Sequence, residues 1–490
     1  MMMTSKSRIR RPFLLLLSLL ILSGCARNPV TGKRQIVLIS ESQEIAYGRE
    51  AHPEVLAQFG RVEDSDLQSY FNEIGQELAV LSHRPELEWH FNVVDSPIVN
   101  AFALPGGYIY FTREILAYMN NEAELAGVMG HEIGHVTARH SVSQISKSQL
   151  FGVGLGLGSV LSPTFSQLSD FAQVGVGMLS LKYGRDDERQ SDELGVKYMS
   201  LGGYDPRELS KFFVVFQQMR EDSSQSIPDW LSSHPAPPDR ITATRSDAET
   251  LVRAQPDKRW IINREGFLKR ISGIVFGENP REGFRSDGWF VHPDLEFRIR
   301  IPTGWRVQNS KKAVVSAPAS GDAAIQLTLA EAPEGTSPRE YARSLAEQSG
   351  VELLEGENTR INGYRAFIGT YRFQDSQENR RIGLAAFIDF RGRLYQILGL
   401  APNQSFSKYA RTFEDSLTSF YRLRDQNLLN VQPDRLQIRT ARRGQTLGQI
   451  ARDANNPRMN AEALSRLNRI DVDQTLKAGT LVKVIEAGKR

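Results

Sequence analysis

With 490 residues, of which 40% are hydrophobic, 24% charged and 9% aromatic, the chain has globular composition and length for about three domains, which excludes a disordered, collagen-like or polytopic membrane protein. The formal charge of +3 does not indicate a nucleic-acid binder. Lys6, Arg8, Arg10 and Arg11 all lie in the first 24 residues, which hold no acid, and without them 56 basic residues face 57 acidic ones, a net of −1.

Those basic residues precede an apolar run, Phe13 to Leu22, then small residues and Cys25, the only cysteine. This is the layout of a secretory signal peptide over residues 1–24. The run falls short of the roughly 20 apolar residues of a membrane span. Leu22-Ser23-Gly24-Cys25 resembles the bacterial lipobox, which implies lipidation of Cys25, and a thiol without a partner cysteine fits an attachment point better than a disulfide. Acyl chains there would hold the chain to a membrane. Ala26 in place of an aspartate resembles, in a diderm bacterium, lipoproteins held at the periplasmic face of the outer membrane.

After an anchor and linker at 25–41, the pattern predicts helix from Ser42 to Leu81, then two or three strands between Leu87 and Phe111 around the Pro105-Gly106-Gly107 turn. A helix is predicted from Asn121 to Ser143, opened by Asn121 with Glu124 three residues on, and helical patterns continue to about Leu251. Within them Phe151 to Gly158 alternates apolar residues with glycine, a deformable stretch that reads equally as a mobile lid or membrane-dipping segment, or as a tightly packed helix pair.

Residues 256–286 read as a linker and 287–425 as strands with two helical patches. The start of that block, Leu295 to Trp305 with Pro302-Thr303-Gly304-Trp305, resembles the opening of PsbP-like α/β sandwich domains, and nothing in it forms a catalytic constellation. The last block, 436–485, holds Gly444-Gln445-Thr446-Leu447, Leu464-Ser465-Arg466-Leu467-Asn468 and Leu476-Lys477-Ala478-Gly479-Thr480-Leu481. It resembles the LysM module, a βααβ fold, which implies binding of N-acetylglucosamine-containing glycans such as peptidoglycan. From Leu436 to Arg490 there are 11 basic and 5 acidic residues, a net of +6, leaving −7 on Cys25 to Arg435.

The chemistry centres on His131-Glu132-Ile133-Gly134-His135. Four residues nearly complete a helical turn, so both imidazoles project from one face and can share a zinc, with Glu132 within reach of a water on the metal. A carboxylate from a second helix is a standard third ligand. Arg185 to Asp192 supplies three candidates, Asp187, Glu188 and Asp192, which spacing alone does not separate; a carboxylate one turn away could fix an imidazole tautomer. His140, five residues after His135, would lie about 140° further round a continuous helix and point away from the metal. His52, His83, His90 and His292 fall outside any ligand spacing.

From Asn28 to Val252 the chain resembles the HtpX- and BepA-like zinc metallopeptidases, a family that includes the CAAX prenyl endopeptidases. The resemblance rests on Asn28-Pro29-Val30-Thr31-Gly32, Asn100-Ala101-Phe102-Ala103, H-E-x-x-H, Glu188 with Asp192, Gly203-Tyr204-Asp205-Pro206, and Ser233-His234-Pro235 with Arg240. It implies one zinc held by His131, His135 and Glu188, Glu132 as general base, Asp192 and Arg240 behind the ligands, and Asn100, Ala101 and Phe102 along the substrate cleft, where a strand can pair with an extended peptide. His234 corresponds to a histidine that stabilises the oxyanion or occupies the open zinc position. Ser191 departs from the alanine usual before the aspartate.

The expected fold is α+β: a mainly helical zincin-like domain with a small sheet at 42–255, the α/β sandwich, and the βααβ module. The expected function is a membrane-anchored zinc endopeptidase acting on periplasmic or outer-membrane proteins, with no nucleic-acid partner. The alternative is a wall-tethered assembly factor or chaperone for outer-membrane proteins, with a normally plugged active site and contacts to the assembly machinery. A peptidoglycan hydrolase is a third reading, disfavoured because the metal motif resembles that of peptidases acting on proteins.

Overall fold

The computed structural model describes residues 25–155, 183–221, 230, 234, 238–348, 350–374, 380–454 and 456–489. Residues 1–24, expected as a signal peptide, and the last three of the glycine-rich stretch Phe151 to Gly158 lie outside the described residues. Among the described residues no helix is long and apolar enough to cross a membrane.

The chain begins with a short hairpin, β1 (Cys25–Arg27) on β2 (Arg34–Ile36). The helical stretch expected from Ser42 to Leu81 is two helices, α1 (Glu41–Phe59) and α2 (Ser65–Val80). Gly60, at φ 73°, ends the first, a conformation that costs glycine nothing, and Asp64 caps the second by accepting from Asp66 N and Leu67 N. Three strands follow, β3 (His90–Val94), β4 (Ala101–Leu104) and β5 (Tyr108–Thr112), in the order β3-β5-β4, so β4 is an edge. After α3 (Arg113–Tyr118) comes α4 (Glu122–Thr137), capped by Asn121 and buried at every position. An all-round buried helix must be enclosed by protein, and α4 packs against α2, β4, α6 (Arg185–Leu201), α7 (Arg207–Glu221) and α9 (Arg264–Ile271), while α8 (Pro238–Ala254) packs on α6 and α7.

The α4–α6 contact positions the site. Gly130 of α4 and Gly195 of α6 face each other so closely that a Cβ on Gly130 would lie 3.1 Å from Gly195 O, and one on Gly195 3.1 Å from His131 N. The two backbones therefore touch, which brings the acidic turn of α6 against the histidines of α4.

The helix predicted to run to Ser143 stops at Thr137. Arg139 adopts φ 60°, and a new helix, α5 (His140–Leu155), starts beyond it. A left-handed arginine is unfavourable, but here its Nε donates to Glu44 Oε2 at 2.7 Å and its Nη2 to Ile39 O at 3.0 Å. The stretch 256–286, expected as a linker, instead contains α9, whose Phe267, Leu268 and Ile271 are fully buried in the same core, and a short strand, Phe284–Ser286, that joins the next unit.

That unit is built on a seven-stranded antiparallel sheet. Its strands alternate in-out as a sheet covered on both faces must. Ala366, Ala386, Ile388 and Ile397 meet helix Phe406–Leu417 and a four-stranded sheet, whereas Phe367, Tyr371, Phe387 and Leu398 meet helix Pro338–Ala346.

The last unit has the expected βααβ order, Arg435–Thr440, Leu447–Ala454, Ala461–Asn468 and Leu481–Glu486, with the two strands antiparallel. Its core is continuous with that of the helical unit. Lys483, fully buried, donates to Ala117 O at 2.6 Å and Met119 O at 2.9 Å, beside the end of α3, and burial, with Arg469 nearby, holds its pKa well below the ordinary lysine range. Arg469 pairs with Glu124 in the first turn of α4. Two of the tail's basic residues are thus committed inside the molecule.

Candidate metal centre

His131 Nε2 and His135 Nε2 lie 3.1 Å apart. Glu188 from α6 brings Oε1 to 3.4 Å from His135 Nε2 and Oε2 to 3.8 Å from His131 Nε2. His234 adds Nδ1, 3.3 Å from His131 Nε2 and 2.9 Å from Glu188 Oε1. All four side chains are buried, with one donor atom each within 4.8 Å of the others. A tetrahedral zinc with bonds of about 2.0–2.2 Å has ligand–ligand edges of about 3.3–3.6 Å, so three nitrogens and a carboxylate at these separations fit that ion.

The groups behind the donors aim them. His131 Nδ1 faces Asp192 Oδ1 at 3.0 Å, which favours the proton on Nδ1 and leaves the Nε2 lone pair toward the centre. Arg240 holds Asp192 through two parallel bonds of 2.6 and 2.7 Å and reaches Glu188 Oε2 at 2.6 Å. His135 is aimed by His140, whose Nδ1 lies 3.0 Å from His135 Nδ1. On its far side, His140 Nε2 faces Gln190 Oε1 at 2.9 Å and Asp187 Oδ1 at 3.8 Å. With acceptors there, the His140 proton sits on Nε2, its Nδ1 accepts from His135, and the His135 Nε2 lone pair is left for a metal. Tyr183 closes the other side, its ring stacked on His135 at 3.9 Å and its hydroxyl 2.8 Å from Ser141 Oγ.

Burial lowers the His135 pKa well below its ordinary value and lowers that of His140, the direction that a candidate ligand and its acceptor require. Burial alone would raise Glu188, but His234, His135 and Arg240 outweigh it and hold the carboxyl well below the usual range. Burial would lower His234, yet Glu188 and Glu132 raise it. Glu132 is held above the carboxyl range by burial, opposed by His234 and His131, the direction that suits a general base.

The peptidase family M48 model matches residues 65–248, the span that carries every one of these groups. Residues 65–248 are an M48 metallopeptidase domain. The chain is 28% identical over 235 residues to the beta-barrel assembly-enhancing protease of Yersinia pestis, covering 46% of this chain and 47% of that protein. It is 29% identical over 199 residues to the protein of that name from Escherichia coli, covering 39% and 40%. It is 34% identical over 163 residues to the mitochondrial metalloendopeptidase OMA1 of Arabidopsis thaliana, covering 32% and 31%. The chain thus spans less than half the length of each of these relatives. Among solved structures, cyanobacterial PsbP from Synechocystis overlaps 27% of this chain and 91% of its own, at 17% identity and a TM-score of 0.24, too low to bear on role.

The M48 domain brings Glu132, His131, His135, Glu188, His234, Asp192 and Arg240 together in space. His140 is a correction: it does not point away from the centre but touches His135, because the break at Arg139 turns the chain back. Tyr183 was missed although it lies just before the Arg185 to Asp192 segment, because an isolated tyrosine ahead of an acidic helix carries no ligand signal. Ser191, the departure from the family pattern, places Oγ 3.3 Å from His140 Nδ1. The proposed cleft residues divide. Thr112 N donates to Asn100 O at 3.0 Å, and alternation along an antiparallel pair then turns the backbone groups of Ala101 and Ala103 to the side of β4 that no strand pairs with, although both residues are buried. Asn100 Oδ1 is enclosed with no hydrogen-bond partner among the described residues. Phe102 turns its side chain to the opposite face, stacked on Tyr110 at 4.9 Å. Trp230, whose backbone N–H donates to Val99 O at 3.3 Å and whose ring stacks on His234, links this edge to the centre.

Removing the acceptor of a ligand histidine weakens metal binding by about 10- to 100-fold. His140→Ala should lower zinc affinity by that factor in competition with a chromogenic chelator, and an unchanged affinity would dismiss the role of His140.

Proposed function

We propose that the chain is a zinc-dependent endopeptidase of envelope protein quality control or assembly, lipidated at Cys25, held at the periplasmic face of the outer membrane, and resting with His234 in the fourth metal position. The observation that carries the reading is the convergence of His131, His135 and Glu188 beside the enclosed carboxyl of Glu132. Zinc, when bound, supplies Lewis acidity toward a peptide carbonyl and acidifies a water. The chain's own residues do the rest. Glu132 accepts the proton of the attacking water and returns it to the leaving amine. The unpaired edge of β4, buried at Ala101 and Ala103, would have to be uncovered to align an extended substrate through these two residues. Asp192 and His140 keep the two imidazole lone pairs on the centre, and Arg240 fixes both carboxylates.

The related proteases named for β-barrel assembly support protein substrates from the outer membrane and contact with its assembly machinery. The tail module, by its LysM resemblance, would meet peptidoglycan. The second reading, an assembly factor with a plugged site, is favoured by the 2.9 Å approach of His234 to Glu188, which puts its imidazole among the donors.

His234→Ala tests the resting state through its sign. If the imidazole plugs the site, turnover of a quenched peptide should rise by about tenfold or more, a barrier about 1.4 kcal/mol lower. If His234 only stabilises the oxyanion, turnover should fall by about 100-fold or more, and the closed-state reading fails. A protein that holds no zinc after metal loading would remove the peptidase reading itself.

A further inference from the structure

Outside the metal centre, the α/β unit carries a cleft of about 500 Å³ lined by Arg298, Tyr364, Tyr421, Arg422, Leu423 and Arg424. The Arg298 guanidinium is held between two aromatic rings, 4.5 Å from the centroid of Trp289 and 5.6 Å from that of Tyr421. Stacking of this kind fixes the plane of the guanidinium and leaves its N–H edge to hydrogen-bond. Its Nε is shut off from solvent and has no hydrogen-bond partner among the described residues. Arg298 as a whole is only half-buried, so it is the terminal N–H groups of the fixed guanidinium that are left for an acceptor in the cleft.

The charges around it do not cancel. Glu296 reaches Arg422 at 2.9 Å but shares itself with Arg391 at 2.5 Å. Asp425, also lining the cleft, accepts from Asn427 N at 2.9 Å as a helix cap. Three arginines against one carboxylate thus line a pocket on a body whose net charge is −7 between Cys25 and Arg435, so the basic character is local to the cleft.

Backbone geometry selects among anions. Strand Tyr421–Arg422 is the edge of its four-stranded sheet, paired only with Phe297–Arg300. Leu423 N donates to Glu296 O at 2.8 Å, so by the alternation of an antiparallel pair Tyr421 exchanges bonds with Arg298, and the N–H and C=O of Arg422 face the open side. A peptide can pair with both groups of that edge, whereas a phosphate can accept from the N–H but offers no donor to the C=O.

The geometry points to a second, non-catalytic binding site here, taking an extended segment of an acidic partner protein: a carboxylate side chain bonded to Arg298 and Arg424, its backbone on the Arg422 edge, and an apolar neighbour against Tyr364, Tyr421 and Leu423. This site does not depend on the peptidase reading.

The test uses the full chain carrying Glu132→Gln, so that no probe is cut, and a fluorescein-labelled octapeptide alternating glutamate with valine, followed by anisotropy. The acidic peptide should bind, its glutamine counterpart should not, and high salt should weaken the complex. Arg298→Gln should reduce affinity by about tenfold or more, and Arg424→Gln, at an exposed position, gives the same reading should the first variant misfold. Equal binding of the two peptides, or full affinity in both folded arginine variants, would overturn the proposal. So would arginine-dependent binding of phosphatidylglycerol vesicles in place of the peptide.

Discussion

Glu132→Gln should reduce kcat/KM on a peptide substrate by about 100- to 10,000-fold, the usual contribution of a positioned general base, while zinc content stays at the parental level. The two readouts separate because Glu132 is not among the four converging donors. Stability supplies a third. Burial holds the Glu132 carboxyl above its ordinary range, so the native state binds a proton that the unfolded chain releases, and stability falls as pH rises from the ordinary carboxyl range toward the folded value. A neutral amide of the same shape removes that loss. The variant should therefore melt no lower than the parent at neutral pH. Parental proteolysis in a folded, zinc-loaded variant would remove Glu132 from the mechanism.

Arg240→Leu should act on folding as strongly as Glu132→Gln acts on chemistry. Arg240, 5% exposed, faces Asp192 at 4% and Glu188 at 0%, and its removal leaves two buried carboxylates without their cation. Breaking such a group from one side costs about 3–5 kcal/mol. The loss should be largest in chelated protein and smaller with zinc, which takes over the charge of Glu188. Denaturant titration of the metal-free and loaded forms measures both. Combining Arg240→Leu with Asp192→Asn should recover part of the loss, since the two are coupled rather than additive; equal stability of parent and Arg240→Leu without metal would contradict the arrangement.

The parts of the site legible in the sequence are those fixed by local geometry. His131 and His135 share a face because of helical pitch alone, and the pattern around them marked their helix. Glu188 could not be told from Asp187 or Asp192 by spacing; the motif resemblance chose it, and the fold explains the choice through the Gly130–Gly195 approach that sets α6 against α4. His140 could not be read correctly, since its placement depends on Arg139 being held in a left-handed conformation by Glu44, 95 residues earlier in the chain. Helix α9 was missed within an expected linker although Phe267, Leu268 and Ile271 carry a helical repeat; one turn of apolar spacing is a weak signal when flanked by polar residues. In the tail the βααβ order was legible, but Lys483 reads as a surface lysine until the carbonyls at the end of α3 are seen around it.

The shared core of the helical and tail units has a calorimetric consequence. With Lys483 sealed between them and Arg469 bound to the first turn of the catalytic helix, neither can lose its structure without exposing the other's apolar surface. Three segments distinguishable in the sequence therefore make two thermodynamic units. The tail and the metal centre should share one melting transition, and a ligand that grips the tail should raise the temperature at which the H-E-x-x-H helix comes apart.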